Sequence, residues 1–364
     1  MDLEAYQQAG LYDPETPGAG DRVALLGWLE AHGTSIAQMQ RSAKAGALSS
    51  AAGDALVRPG APLTLEEVVE RTGLPADRIL ETLRASGTST PEGTEQTFVE
   101  SDIETFGLFK AAASIFGRDA VLELTRVMGI SMARVAEAAI TLFQVNIEAP
   151  LAESEAGAIA MAEANYAAVT SLEMLPRAMG GLLRLHIETA IRRSRKSYNR
   201  ENPFGSRRLA VGFIDLVGFT PLTQKMDDDE ITDLIENFER RANDIVTQFD
   251  GRVVKHIGDE VMFIAVGAGA GCHIAVAACE AFRASEVEPH GGLAIGGLLT
   301  RGGDFYGPIV NIASRIGDIA VPNEVLVTEE VMLGASDDPE LKFEPAGRRM
   351  LKGFDEPVAL WSLT

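Results

Sequence analysis

The chain is 364 residues long, 46% hydrophobic and 6% aromatic, with a formal net charge of −21. That length allows two domains, each with a sizeable core, and the acidity argues against duplex nucleic acid as the main partner, because such binding is driven by phosphate neutralisation. No run of about 18 apolar residues occurs, and the opening MDLEAYQQAG lacks the basic-then-apolar plan of a signal peptide, so a cytoplasmic protein without a transmembrane segment is expected.

Residues 1–200 hold long stretches at helical period and almost nothing that alternates like a strand. Asp21 to Gly33 has an acidic start, an apolar face of Leu25, Leu26, Trp28 and Leu29, and a closing glycine, which predicts a helix. Leu63 to Gly87 reads as two helices broken at Thr72-Gly73, with Thr64 as N-cap and Glu67 closing a capping box. The outline is that of a helix-turn-helix. Its second helix, however, sets Arg78 and Arg84 against Asp77 and Glu81, which is poor equipment for reaching phosphates. Further helices are expected at Ser101 to Phe116, Arg118 to Met128 and Ser131 to Ile147, the last apolar on more than one face. The simple reading is a core or dimer helix; a pocket for a lipid or other small-molecule effector is the alternative.

From Glu155 a long helix, broken or bent near Pro176, is expected to run to about Ser197. It ends in a basic strap, Arg192, Arg193, Arg195, Lys196, Arg200, Arg207 and Arg208, with only Glu201 against it. Lying between two acidic bodies, this strap reads as an intramolecular connector that can pair with either neighbour. His186 stands at its start and is the candidate regulatory residue, since histidine changes charge near neutral pH. NRENPFGS (Asn199 to Ser206) punctuates the chain, giving residues 1–190 as a helical domain, 191–208 as the strap and 209–364 as a second domain.

Beyond Leu209 the pattern becomes mixed. Strands are expected at Leu209 to Asp215, Arg252 to Lys255, Val261 to Val266, Gly292 to Leu299, Val325 to Thr328, Phe343 to Arg348 and Val358 to Ser362. Helices are expected at Asp229 to Phe249, Gly271 to Arg283 and Ile309 to Ile319. This order fits an α+β sandwich of βαββαβ type with appended elements. Cys272 and Cys279, seven apart in an Ala-rich helix, read as buried free thiols. The chain has no P-loop motif, and Gly267, Gly269 and Gly271 lack the spacing of a dinucleotide fingerprint.

Two apolar runs, Leu209 to Ile214 and Val261 to Val266, each lie beside an aspartate, Asp215 and Asp259. A charge at the edge of a buried strand must be satisfied by a cation, a metal or backbone donors. On adjacent strands the two could hold a metal pair.

Three segments, FIDLVGFT (Phe213 to Thr220), KHIGDE (Lys255 to Glu260) and DFYGPIVNIASR (Asp304 to Arg315), together resemble the class III nucleotide cyclases, specifically bacterial soluble adenylyl cyclases with a helical N-terminal regulatory domain. The resemblance to the catalytic domain covers Leu209 to Thr364. It implies a ferredoxin-like βαββαβ catalytic domain preceded by an all-α regulatory domain, and an enzyme that makes 3′,5′-cyclic AMP and pyrophosphate from ATP. By that resemblance Asp215 and Asp259 are ligands of two Mg2+ or Mn2+ ions, and Leu216, where the family often has isoleucine, lends a backbone carbonyl. Lys255 and Asp304 match the adenine-selecting pair, Asn311 orients the ribose, and Arg315 stabilises charge at the α-phosphate. Lys352 resembles a triphosphate-binding lysine, and the backbone of Gly218, Phe219 and Thr220 suits phosphate. The resemblance also implies a homodimer whose two sites are each shared between subunits. The other readings open to the sequence are an inactive cyclase fold that senses nucleotide and a DNA-binding regulator using residues 63–87.

Overall fold

The computed structural model describes residues 2–91, 95–154, 157–172, 174–196, 207–282 and 287–364. The punctuation at Asn199 to Ser206 and the strap residue Arg200 lie outside them. The chain divides into two compact units, Met1–Arg184 and Leu185–Thr364.

The first unit is built from helices. They are α1 (Leu3–Gln8), α2 (Ala19–Ala31), α3 (Ile36–Lys44), α4 (Ala51–Val57), α5 (Leu65–Thr72), α6 (Ala76–Ser86), α7 (Glu100–Phe116), α8 (Arg118–Phe143), α9 (Ala149–Glu153), α10 (Ala158–Leu172) and α11 (Leu175–Lys196), the last continuing into the second unit. The expected pair at residues 63–87 is α5 and α6. Glu67 N–H donates to Thr64 Oγ1 (3.3 Å) and Thr64 N–H to Glu67 Oε2 (2.8 Å), while Gly73 ends α5 at φ 61°. Val68 and Ile79 bury themselves with Leu63, Phe98 and Phe106.

One difference from the sequence reading has a clear cause. The expected break between Met128 and Ser131 is absent, and α8 runs straight through Gly129. A Cβ there would lie 2.2 Å from Ser86 O, so the glycine serves close packing against the end of α6 rather than a turn. Near Pro176 the helix is broken, as one of the two expected forms has it: α10 ends at Leu172 and α11 begins at Leu175, so Pro176 stands in the first turn of α11, where its missing N–H costs nothing. The continuous stretch Arg118–Glu153 is long and apolar enough, by length and composition only, to cross a membrane. A count of uninterrupted apolar residues misses it because Glu123, Arg126, Arg134 and Glu137 punctuate the helix.

The second unit is α+β. Its elements are β1 (Arg207–Val217), α12 (Phe219–Thr223), α13 (Asp228–Gln248), β2 (Arg252–Ile257), β3 (Glu260–Ala265), α14 (Ala268–Phe282), β4 (Glu288–Arg301), β5 (Asp304–Tyr306), α15 (Pro308–Gly317), β6 (Val325–Thr328), α16 (Glu329–Ala335), β7 (Phe343–Arg349) and β8 (Val358–Leu363). The strand order is β2-β3-β1-β4-β6-β8-β7, with β5 paired to β4. The first four strands in that order, with α13 and α14, form the ferredoxin-like βαββαβ core.

The central strand β1 reads as an unbroken apolar run because both its faces are covered. Ala210, Ile214 and Leu216 join the cluster that holds Phe238 and Val246 of α13 and Cys272 and Ile274 of α14. Leu209, Val211 and Phe213 face the other way, into a cluster with Ala313 of α15. Cys272 and Cys279 are free and buried as expected.

Strand β4 is longer than the sequence suggests, beginning at Glu288 rather than Gly292. Gly291 and Gly292 are packing sites. A Cβ on Gly291 would meet Phe213 O at 2.6 Å, and one on Gly292 would lie 2.3 Å from both Ala313 O and Gly317 N. Because the Gly292 obstacles are backbone atoms, no side chain can swing clear. Gly292→Ala is therefore expected to lower unfolding stability by about 1–3 kcal/mol, as overpacking does, read by denaturant titration; parental stability would show that α15 does not press on β4.

Candidate active site

Strand β1 carries Asp215 two residues beyond Phe213, so its side chain continues the row that faces α15. The β2–β3 hairpin brings up Asp259. Ile257 pairs with Glu260, leaving Gly258 and Asp259 as a two-residue turn, and Gly258 at φ 66° takes the position where such turns favour glycine. Asp215 is directly opposite His290 on β4, and His290 Nε2 lies 3.2 Å from Asp215 Oδ2.

The electrostatics of this corner are dominated by carboxylates. Burial, followed by the charge of Asp215, pushes the Asp259 carboxyl above its ordinary range, against its own backbone hydrogen bond and His290. Glu260, the first residue of β3, is pushed up to about 7 by burial and then by Asp215, Asp318 and Asp259. His290 faces them. Its hydrogen bond to Asp215 raises its pKa, and the Asp215 charge and the backbone of Gly317 and Ala320 add to that, against burial. Asp215 and Asp259 are thus brought together. Glu260, His290 and Asp318 join them, although the sequence reading did not single them out.

A second pair forms on the first strand of the hairpin. Lys255 Nζ on β2 donates to Asp304 Oδ2 at 2.7 Å, and Phe305 N–H donates to Asp304 Oδ1 at 2.7 Å. Burial alone would raise the Asp304 carboxyl, but the hydrogen bonds from Lys255 and Phe305 and the charges of Lys255 and Arg252 together hold it below its ordinary value. Arg252 buttresses this pair: its Nη2 donates to Gly303 O at 2.9 Å and its guanidinium lies 5.8 Å from the Phe305 ring centroid.

Asn311 and Arg315 share one exposed face of α15, and Arg315 Nη1 donates to Asp318 Oδ2 at 2.8 Å. Lys352 is exposed in the turn after β7, beside the buried Leu351. Among the described residues no side-chain hydrogen bond ties Asn311 or Lys352 to the rest of the set. Gly218, at φ 88°, turns the chain from β1 into α12, which starts at Phe219; the Thr220 side chain lies outside the described residues. His186 is exposed on α11. Near the end of that helix, Lys196 Nζ donates to Asp250 Oδ2 (2.6 Å), Arg192 Nη2 to Asp250 Oδ1 (3.5 Å) and Arg193 Nη2 to Gly251 O (3.3 Å). Asp250, at φ 58°, sits in the turn that leads into β2.

His273, Asp338 and Glu340 also place ligand atoms within 4.8 Å of one another. Asp338 is already satisfied there, by His273 Nε2 at 2.8 Å and by Glu340 N–H at 3.1 Å, so the group is a hydrogen-bonded staple between α14 and the loop after α16.

These elements can be set beside known proteins. A family model described as "Adenylate cyclase regulatory domain" matches residues 8–191. An uncharacterized protein of Mycobacterium tuberculosis is 31% identical over 377 residues, covering 100% of this chain and 94% of that protein. An adenylate cyclase of Streptomyces coelicolor is 46% identical over 123 residues, 33% of this chain and 32% of that one. The crystal structure of the adenylyl cyclase CyaB from P. aeruginosa covers 43% of this chain and 93% of its own at 23% identity, with a TM-score of 0.40. The chain belongs to the bacterial class III adenylate cyclases that carry this N-terminal regulatory domain.

The raised Glu260 gives a prediction for the metal-free protein. The folded chain holds this proton more tightly than the unfolded chain, so the associated stability is present below pH 4.5 and is lost as pH rises through about 7. Metal-free Glu260→Gln should therefore melt at a higher temperature than the parent at alkaline pH, with the gap closing toward pH 4.5. An equal gap at both ends would refute the burial of this carboxyl.

Proposed function

We propose that the protein is an adenylate cyclase that converts ATP to 3′,5′-cyclic AMP and pyrophosphate. The observation that carries this reading is one hairpin, β2–β3, with the Lys255–Asp304 pair on its first strand and Asp259, in its turn, near the charge of Asp215. In the chemistry we assign, the ribose 3′-hydroxyl attacks the α-phosphorus and pyrophosphate leaves. Asp215 and Asp259 would hold two Mg2+ or Mn2+ ions. The donor set suits such hard cations, because it is made of carboxylate oxygens whose mutual repulsion and burial call for positive charge. Bound there, the ions supply a lowered hydroxyl pKa and neutralisation of the triphosphate.

The remaining work falls to the chain itself. Lys255 donates to adenine N1 and Asp304 accepts from the 6-amino group, and their 2.7 Å contact presents donor and acceptor side by side. Guanine offers the opposite pattern, so ATP is favoured over GTP. Asn311 orients the ribose, and Arg315 stabilises charge that develops at the α-phosphate. Lys352 and the backbone of Gly218, Phe219 and Thr220 bind phosphate. We assign the reaction to a homodimer in the cytoplasm, with the aspartates of one subunit meeting the Lys255, Asp304, Asn311 and Arg315 of the other. Exposed apolar side chains along α8, including Leu124, Ile130, Ile140 and Leu142, give such a dimer further surface to cover.

Residues 1–190 are the gate in this account and the strap after His186 is its moving element, with histidine titration as its pH input. The support is the grip of Lys196, Arg192 and Arg193 on the Asp250–Gly251 turn, five residues ahead of Lys255.

Purified protein should turn over ATP with Mg2+ or Mn2+ and leave GTP largely untouched, while Asp215→Ala is inactive. ATP binding without cyclic AMP formation would make the protein a nucleotide sensor instead. Asp250→Asn removes exposed ion pairs and should cost less than about 1 kcal/mol of stability, yet change the full-length cyclase rate several-fold. An unchanged rate would take the grip out of the gating account.

A further inference from the structure

The side chain that meets Asp215 at the acidic corner is a histidine held with little freedom. The side chain of His290 is 10% exposed, and its position opposite Asp215 is set by the β1–β4 ladder, which pairs every residue from Arg207 to Val217 with a partner between Leu298 and Glu288. Gly291, which follows it, lies tight against Phe213 and Ile214 of β1, and Gly292 lets α15 press onto β4, so the ring is held between strand and helix end. One nitrogen reaches Asp215 Oδ2 at 3.2 Å. The other, Nδ1, is turned into the protein beside the backbone of Gly317 and Ala320, without a bond short and straight enough to satisfy it. A ring present only to fill space would be served by an apolar side chain, which leaves no polar atom unsatisfied. The Asp215 side chain, by contrast, is 38% exposed, so its second oxygen remains open to a ligand.

We propose that His290 is a positioning residue of the metal half-site, whose Nε2–H pins Oδ2 of Asp215 and leaves Oδ1 presented to the cation. This rests on the reading of Asp215 as a metal ligand. Carboxylate ligands are commonly oriented by a hydrogen bond to the oxygen that faces away from the ion, and loss of such a partner weakens metal binding by about 10- to 100-fold. Contact with α15 gives the residue a second consequence. The same helix carries Asn311 and Arg315, so His290 touches both the strand that bears Asp215 and the end of the helix that serves the partner's site.

The test is Mn2+ binding to the full-length protein at one fixed pH without nucleotide, read from the electron paramagnetic resonance signal of free Mn2+. The variants are His290→Phe, which keeps the ring volume and removes the donor, and His290→Asn and His290→Gln, which keep a donor on a smaller and a flexible side chain. Metal-free thermal midpoints check folding, and Asp215→Ala is the control. His290→Phe should bind Mn2+ about 10- to 100-fold more weakly, and at least one amide variant should recover most of that loss. Wild-type affinity in His290→Phe while Asp215→Ala is deficient would overturn the proposal, as would amide variants no better than phenylalanine. Wild-type affinity in Asp215→Ala would instead overturn the metal reading beneath it. Should the phenylalanine variant fail to fold, recovery by the amide variants relative to His290→Ala decides.

Discussion

Carboxylate charge collected at the end of a buried strand is the constraint on which the catalytic half depends. β1 is apolar on both faces because α13 and α14 cover one side and α15 the other, and that double cover delivers Asp215 to a partly desolvated corner. The β2–β3 turn adds Asp259 and Glu260, and the carboxyls of both are raised by burial before any neighbour is counted. Such a corner has few stable states: protonated carboxyls, a cationic His290, or bound cation. A cation satisfies several of these groups at once.

The hairpin gives this corner its reach. Lys255 and Asp259 lie four residues apart, Lys255 within β2 and Asp259 in the turn after it, with Lys255 bonded to Asp304 and Asp259 within reach of the Asp215 charge. Upstream, Asp250 takes a left-handed backbone and receives Lys196 and Arg192 from α11, while Arg252 holds Gly303 next to Asp304. The end of α11, the Lys255–Asp304 pair and the acidic corner are therefore joined by short covalent and hydrogen-bonded steps within one unit. Individually these exposed pairs contribute little stability. Their value in this account is positional, because each fixes where β2 begins.

Much of the architecture was legible in sequence, since period and punctuation decide local structure. The capping box at Thr64, the apolar run of β1 and the hairpin around Gly258 appear as read. What the sequence hid were close approaches. Gly129 looked like a break and is a contact with the end of α6; Gly291 and Gly292 mark where β4 packs tightly on β1 and on α15. The expected strand began at Gly292 and so left out His290, whose place is set by a ladder register to Asp215, 75 residues away, that no local pattern encodes. Glu260 stood in view within KHIGDE, but its raised pKa depends on burial and on Asp318, neither visible along the chain.

The central claim is that each site is assembled from two subunits, and complementation tests it most directly. Asp215→Ala and Arg315→Ala proteins are each expected to be inactive as homodimers. When the two are mixed and allowed to exchange subunits, half the dimers are mixed and each of these holds one intact site, so about a quarter of wild-type cyclase activity should return. A mixture as inactive as its components, with subunit exchange demonstrated, would contradict the shared site.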